Sequence, residues 1–215
     1  MKDPKHPQRN HSAAPGGTYN GTWLPSSFYA STGEFTKLGR GFVNHCGPTA
    51  ITNVIMTCLS EEDTPVRRGP VIKKSRTQLA DEAKNVFLDT ARFGRRHLMY
   101  FNMNLFHFYG GTSDILSGPY LRIMLRKAGI RNISVSLPRP LTPGLARRAL
   151  DRGSMLYVML LHHRKYKNHH LICYSYDTDK EGQFRYQSAD GWTNRPVYLE
   201  DRDLRLGFFR EIKKR

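Results

Sequence analysis

The hydrophobic pattern changes its period at Gly129, and this change constrains the fold more than any other feature of the chain. Before it, apolar residues recur at helical spacing. Ala50, Ile51, Val54, Ile55, Cys58 and Leu59 fall on one stripe of residues 46–59. Leu79, Ala83, Val86 and Phe87 do the same in 78–90, and Leu121, Met124, Leu125 and Ala128 in 117–128. Pro48 and Pro119 each suit a first helical turn, where the missing N–H has no partner to lose. After Gly129 the pattern turns to strands. Residues 133–137 alternate, and apolar runs follow at 155–161, 169–176 and 184–189. A short helix over 143–152 separates the first two strands, and 206–212 closes the sheet. The expected fold class is α+β, with a helical N-terminal half packed on a mostly antiparallel C-terminal sheet.

Residues 1–20 are rich in Pro, His, Gly and polar residues and read as a disordered tail. Residues 21–215 then form a single domain, entered through an irregular segment with Trp23, Phe28, Tyr29 and Phe35. The most apolar stretch, 98–109, contains Asn102, Asn104 and His107 and falls short of the roughly 20 residues a membrane span needs. Cys46, Cys58 and Cys173 make an odd count with no Cys-x-x-Cys pair, and the N-terminus has no apolar signal core. Both features point to free thiols in a reducing cytoplasm and to no cofactor. Lys and Arg number 34 against 18 Asp and Glu, a net charge of +16. The basic pairs run along the whole chain, so the charge attracts anionic partners without locating a site.

Three segments carry reactive residue types. In Asn44-His45-Cys46-Gly47-Pro48, a cysteine opens the first helix. The N–H groups and partial positive charge of a helix N-terminus favour a thiolate and can hold an oxyanion. Cys58, within the apolar stripe, reads as core. In Asn168-His169-His170, a histidine opens an apolar strand, where it can serve a thiol as base and acid. The two imidazoles point to opposite faces, and both faces are apolar, so alternation does not choose between them. In Ala189-Asp190-Gly191-Trp192, a carboxylate ends a strand and can orient an imidazole.

Cys-Gly-Pro-Thr-Ala at a helix start, then His-x-Leu-Ile and Ser-Tyr-Asp, then Asp-Gly-Trp, resembles the papain-like cysteine peptidases. The segments look most like those of the bacterial branch that includes the bacteriocin leader peptidases, and the chain keeps the family order of Cys, His and Asp. The resemblance spans about residues 35–212. It implies a papain-like fold and a thiol-dependent hydrolase working through a thioester. Cys46 is then the nucleophile, His169 the base and Asp190 its orienting carboxylate. Setting Ser175-Tyr176-Asp177 on the family's Gly-Tyr-Asp selects His169 over His170. The upstream glutamine of many members is replaced by Arg40, so the oxyanion donors become Asn44 and Cys46. Arg40 and Trp192 are the candidate substrate contacts, and the substrate is a peptide or amide, with an acidic one favoured by the charge.

Two other classes compete. A papain-like binding module with an unused triad would use the basic surface and aromatics such as Trp23, Tyr100, Phe101 and Tyr109 for nucleic acid or an acidic peptide. A zinc site from His162, His163, His169, His170 and Cys46 lacks the usual ligand spacing, so no metal is expected.

Overall fold

Helix α1 (Cys46–Glu62) is buried on every side from Gly47 to Cys58, which puts it at the centre of the helical half rather than on its surface. Such a helix must satisfy its own polar side chains. Thr52 Oγ1 donates to the Pro48 carbonyl at 2.8 Å and Thr57 Oγ1 to the Asn53 carbonyl at 2.6 Å. The computed structural model describes residues 44–62, 76–101, 111–192 and 196–215. The expected tail, the aromatic lead-in and Arg40 lie outside these residues. Helix α2 (Arg76–Arg96) and helix α3 (Asp114–Lys127) pack against α1.

Helix α3 starts three residues earlier than Ser117. Ser113 caps it by accepting from the Leu116 N–H, and Asp114 stands in its first turn, where the helix dipole favours a carboxylate. Pro119 therefore lies inside the helix instead of in its first turn. The carbonyl it deprives of a partner belongs to Ile115, a residue 84% exposed.

The C-terminal half is an antiparallel sheet: β1 (Ile133–Val135), β2 (Arg139–Pro140), β3 (Met155–His163), β4 (Lys167–Thr178), β5 (Phe184–Ala189), β6 (Val197–Glu200) and β7 (Gly207–Lys214). The order is β1-β7-β3-β4-β5-β6, with β2 also on β7. Helix α4 (Pro143–Asp151) leads into β3. The α+β arrangement of helices followed by an antiparallel sheet is thus present. The last strand, however, lies inside the sheet between β1 and β3 and does not close an edge. Phe209, Arg210, Glu211 and Ile212 are buried in succession, as a strand covered on both faces requires. Strand β6 was not expected; Tyr198 and Glu200 are exposed and only Leu199 is buried, a pattern too short to stand out.

The sheet separates two cores. Met155, Tyr157, Ile172, Tyr174 and Ile212 lie under α1, α2 and α3. Leu156, Val158, Leu160, Leu171, Cys173 and Phe209 lie on the other face with α4. Up to Leu160 in β3 and up to Cys173 in β4, parity assigns each residue to one of these sides; beyond the shift at Cys173–Ser175 the sides exchange, so Tyr174 and Tyr176 lie in opposite cores. Among the described residues, no helix is long and apolar enough to cross a membrane.

Candidate active site

His45 fixes the start of α1. Its carbonyl accepts the first helical bond from the Thr49 N–H at 2.9 Å, and its Nδ1 lies 3.0 Å from Thr49 Oγ1. Its buried ring stands edge-on to Phe87, with centroids 5.1 Å apart. This places Cys46 as the first helical residue, half-buried, as the sequence implies. Cys58 and Cys173 are buried free thiols, in the core as expected.

Burial pushes the Cys46 thiol up from its ordinary range. Backbone N–H groups of His170, Gly47 and Cys46 itself are directed at the sulfur and oppose this, and the Asp114 charge adds to it. The expected depression of the thiol is therefore reversed: desolvation outweighs the helix terminus. Gly47 permits the close approach of the segment that enters α3. A Cβ on it would come within 1.8 Å of Thr112 Oγ1.

Strand register decides which histidine shares this side of the sheet. Cross-strand partners lie on one face, and the two rows are His170–Met159–Phe208 and Ile172–Tyr157–Arg210. Tyr157 and Ile172 belong to the core under α1. His170 is therefore the imidazole on the Cys46 side, in place of His169. Its ring is 5.4 Å from that of Tyr157, and its Nε2 lies 3.8 Å from Asp114 Oδ1. The Thr112 carbonyl also faces the ring. Its Nδ1 is buried with no hydrogen-bond partner among the described residues. Burial and the neighbouring His169 lower His170 to about 4, so it is neutral near pH 7. No hydrogen bond among the described residues joins the Cys46 sulfur to either imidazole.

His169 faces the other way and is coupled to Asp190, though not as a triad requires. Its Nε2–H donates to the Asp190 backbone carbonyl at 2.7 Å. The Asp190 carboxylate accepts from Tyr166 Oη at 3.1 Å and from the Trp192 N–H at 2.9 Å. It thus ties down the Asp-Gly-Trp turn. The rings of Tyr166 and Trp192 pack on His169 with centroids 5.2 and 4.9 Å away. Trp192, 44% exposed, therefore stands on the His169 side, away from Cys46. The structure brings Cys46 together with His170, Asp114, Thr112 and Tyr157, and groups His169, Asp190 and Trp192 elsewhere. Asn44 is exposed, with φ of 51°, two residues before Cys46. Among the described residues, no cluster of three or more His, Cys, Asp or Glu side chains could hold a metal.

Asp114, Tyr157 and Thr112 were missed by sequence reasoning. Asp114 is visible only as a Ser-Asp helix start, and the other two carry no local signal.

No family model matches the chain, and no curated protein matches it in sequence.

The buried imidazoles make stability depend on pH. Burial holds His45, His169 and His170 below their ordinary value of 6.5. The unfolded chain then binds protons that the folded chain refuses. Their stabilising contribution is complete above about pH 6.5 and is lost as pH falls toward 4. Urea midpoints are expected to fall steadily from pH 7 to pH 4.5. A midpoint constant over that interval would contradict the burial of these rings.

Proposed function

We propose that this chain is a thiol-dependent hydrolase of papain-like construction, acting as a cysteine peptidase with Cys46 as nucleophile. The observation that carries this reading is the unpartnered His170 Nδ1. It sits on the residue whose backbone N–H meets the Cys46 sulfur, while Nε2 is turned toward the Asp114 carboxylate. That carboxylate favours hydrogen on Nε2, which leaves Nδ1 with a lone pair for a proton. A neutral imidazole with one free nitrogen is the form a general base needs.

In this reading the resting site is a neutral thiol beside a neutral imidazole. As Cys46 Sγ attacks the substrate carbonyl, its proton passes to His170 Nδ1. The carbonyl oxygen becomes an oxyanion held by the Cys46 N–H and the Asn44 side chain. His170 then returns the proton to the leaving amine, and a thioester remains on Cys46. Water, deprotonated by His170, resolves it. Asp114 steadies the imidazolium that forms transiently, the role first assigned to Asp190. His170 replaces His169 as the base.

A papain-like binding module without turnover is the second reading. The raised thiol and the lack of a sulfur–imidazole hydrogen bond favour it. Its partner would be nucleic acid or an acidic peptide, drawn by the net charge of +16. Hydrolysis of a pooled fluorogenic peptide set separates the two. Turnover that disappears in Cys46→Ala, with its fold intact by circular dichroism, supports the hydrolase. Equal turnover in both proteins, or none in either, refutes it.

A further inference from the structure

An apolar pocket of about 150 Å³ opens on the same sheet face as Cys46 and His170. Ile115, Pro138, Met159 and Phe208 form its walls, and Asp114 joins it to His170. Met159 is the cross-strand partner of His170, so the pocket begins one strand away from the proposed base. A space of about this volume holds one benzene-sized group.

Its lining includes two donors that are incompletely paired among the described residues. Arg210 is 5% exposed, yet no carboxylate lies within ion-pair distance of it among the described residues. Its Nε, Nη1 and Nη2 donate to Ser117 Oγ, the Ser136 carbonyl and the Asp114 carbonyl, all uncharged acceptors. A guanidinium has five N–H bonds, so two remain. The Arg122 guanidinium nearby adds positive charge. Tyr157, the cross-strand partner of Arg210, is 1% exposed and its Oη has no hydrogen-bond partner among the described residues. Buried charges are ordinarily paired and buried hydroxyls hydrogen-bonded. A carboxylate that reached both groups would satisfy them.

We propose that this pocket binds a substrate carboxylate carried on a short apolar stem, between Arg210 and Tyr157, while the scissile carbonyl lies at Cys46. This deepens the hydrolase reading and rests on it for the word substrate. The carboxylate is that of an acidic side chain or of a chain terminus.

The test is covalent labelling of Cys46 and needs no turnover. N-acetyl-Glu-Gly and N-acetyl-Gln-Gly chloromethyl ketones differ only in the charged group, and Cys46 alkylation is followed by peptide mapping. The glutamate reagent is expected to label about tenfold faster than the glutamine reagent, a gap of about 1.4 kcal/mol. Arg210→Met should bring the ratio near one. Tyr157→Phe should reduce it while keeping the ring, should Arg210→Met fail to fold. If the two reagents react alike but free Ala-Ala protects Cys46 from iodoacetamide where its amide does not, the carboxylate is a chain terminus. Equal ratios in wild type and Tyr157→Phe, with no protection by Ala-Ala, overturn the proposal. A glutamate preference in a protein that hydrolyses no peptide sinks the hydrolase reading and leaves the pocket standing.

Discussion

His170→Ala is expected to lower peptide hydrolysis by about 10²–10⁴-fold, the usual contribution of a positioned general base. His169→Ala is expected to leave the chemical step nearly intact. The difference follows from strand parity. His170 shares its face with Tyr157 and Asp114, whereas His169 lies against Tyr166 and Trp192. Removing the His169 ring empties space between two aromatic rings and frees the Asp190 carbonyl, so its cost is read in the melting temperature. Asp114→Asn should lie between the two in rate. Its carboxylate is half-exposed and 3.8 Å from Nε2, which is near enough to orient the ring but weaker than a hydrogen bond. The opposite ranking, with His169→Ala silent and His170→Ala active, would return the base to His169 and the orienting role to Asp190.

Gly207→Ala is expected to be the most damaging single methyl in the sheet. Gly207 begins β7 with φ of 140°, which L side chains rarely adopt. A Cβ there would lie 2.0 Å from the Met159 carbonyl oxygen and 3.3 Å from Leu160 Cα, both backbone atoms. Neither moves without opening the β3–β7 ladder, in which Gly207 pairs with Leu160. Backbone strain and overpacking together should cost about 3 kcal/mol or more. For a chain of this size that is about 6–12 °C in melting temperature. Gly182→Ala is the control. It also has a positive φ, 77°, but nothing lies within 4 Å of its Cβ, so only the conformational cost of about 1–2 kcal/mol applies. Similar melting losses in the two variants would contradict the packing of β7 against β3.

The sequence made the helical half legible because its signals are local. Ile51, Val54 and Ile55 announce α1, and Cys46-Gly47-Pro48 its start. The sheet was legible as strands but not as an order. That β7 runs between β1 and β3 depends on pairings some 50–80 residues apart, and no local pattern records them. The side of the sheet each histidine takes was illegible for a related reason. His169-His170-Leu171-Ile172 is apolar on both faces beyond the histidines, because cores lie on both sides of the sheet. The face of each residue is set by register against β3, where a shift falls between Leu160 and His163. The Cys46 position was readable, but its thiol was not. Helix placement is a local property, and desolvation belongs to everything packed around the sulfur.

The central claim is that Cys46 is acylated during turnover with His170 as the base. Intact-mass analysis after mixing with an N-acyl glycine p-nitrophenyl ester, quenched in acid within seconds, tests it directly. The account predicts one acyl adduct, mapped to Cys46, removed by neutral hydroxylamine, absent in Cys46→Ala and formed far more slowly in His170→Ala. An adduct that forms equally in Cys46→Ala, or a wild-type protein that stays unacylated, would contradict it.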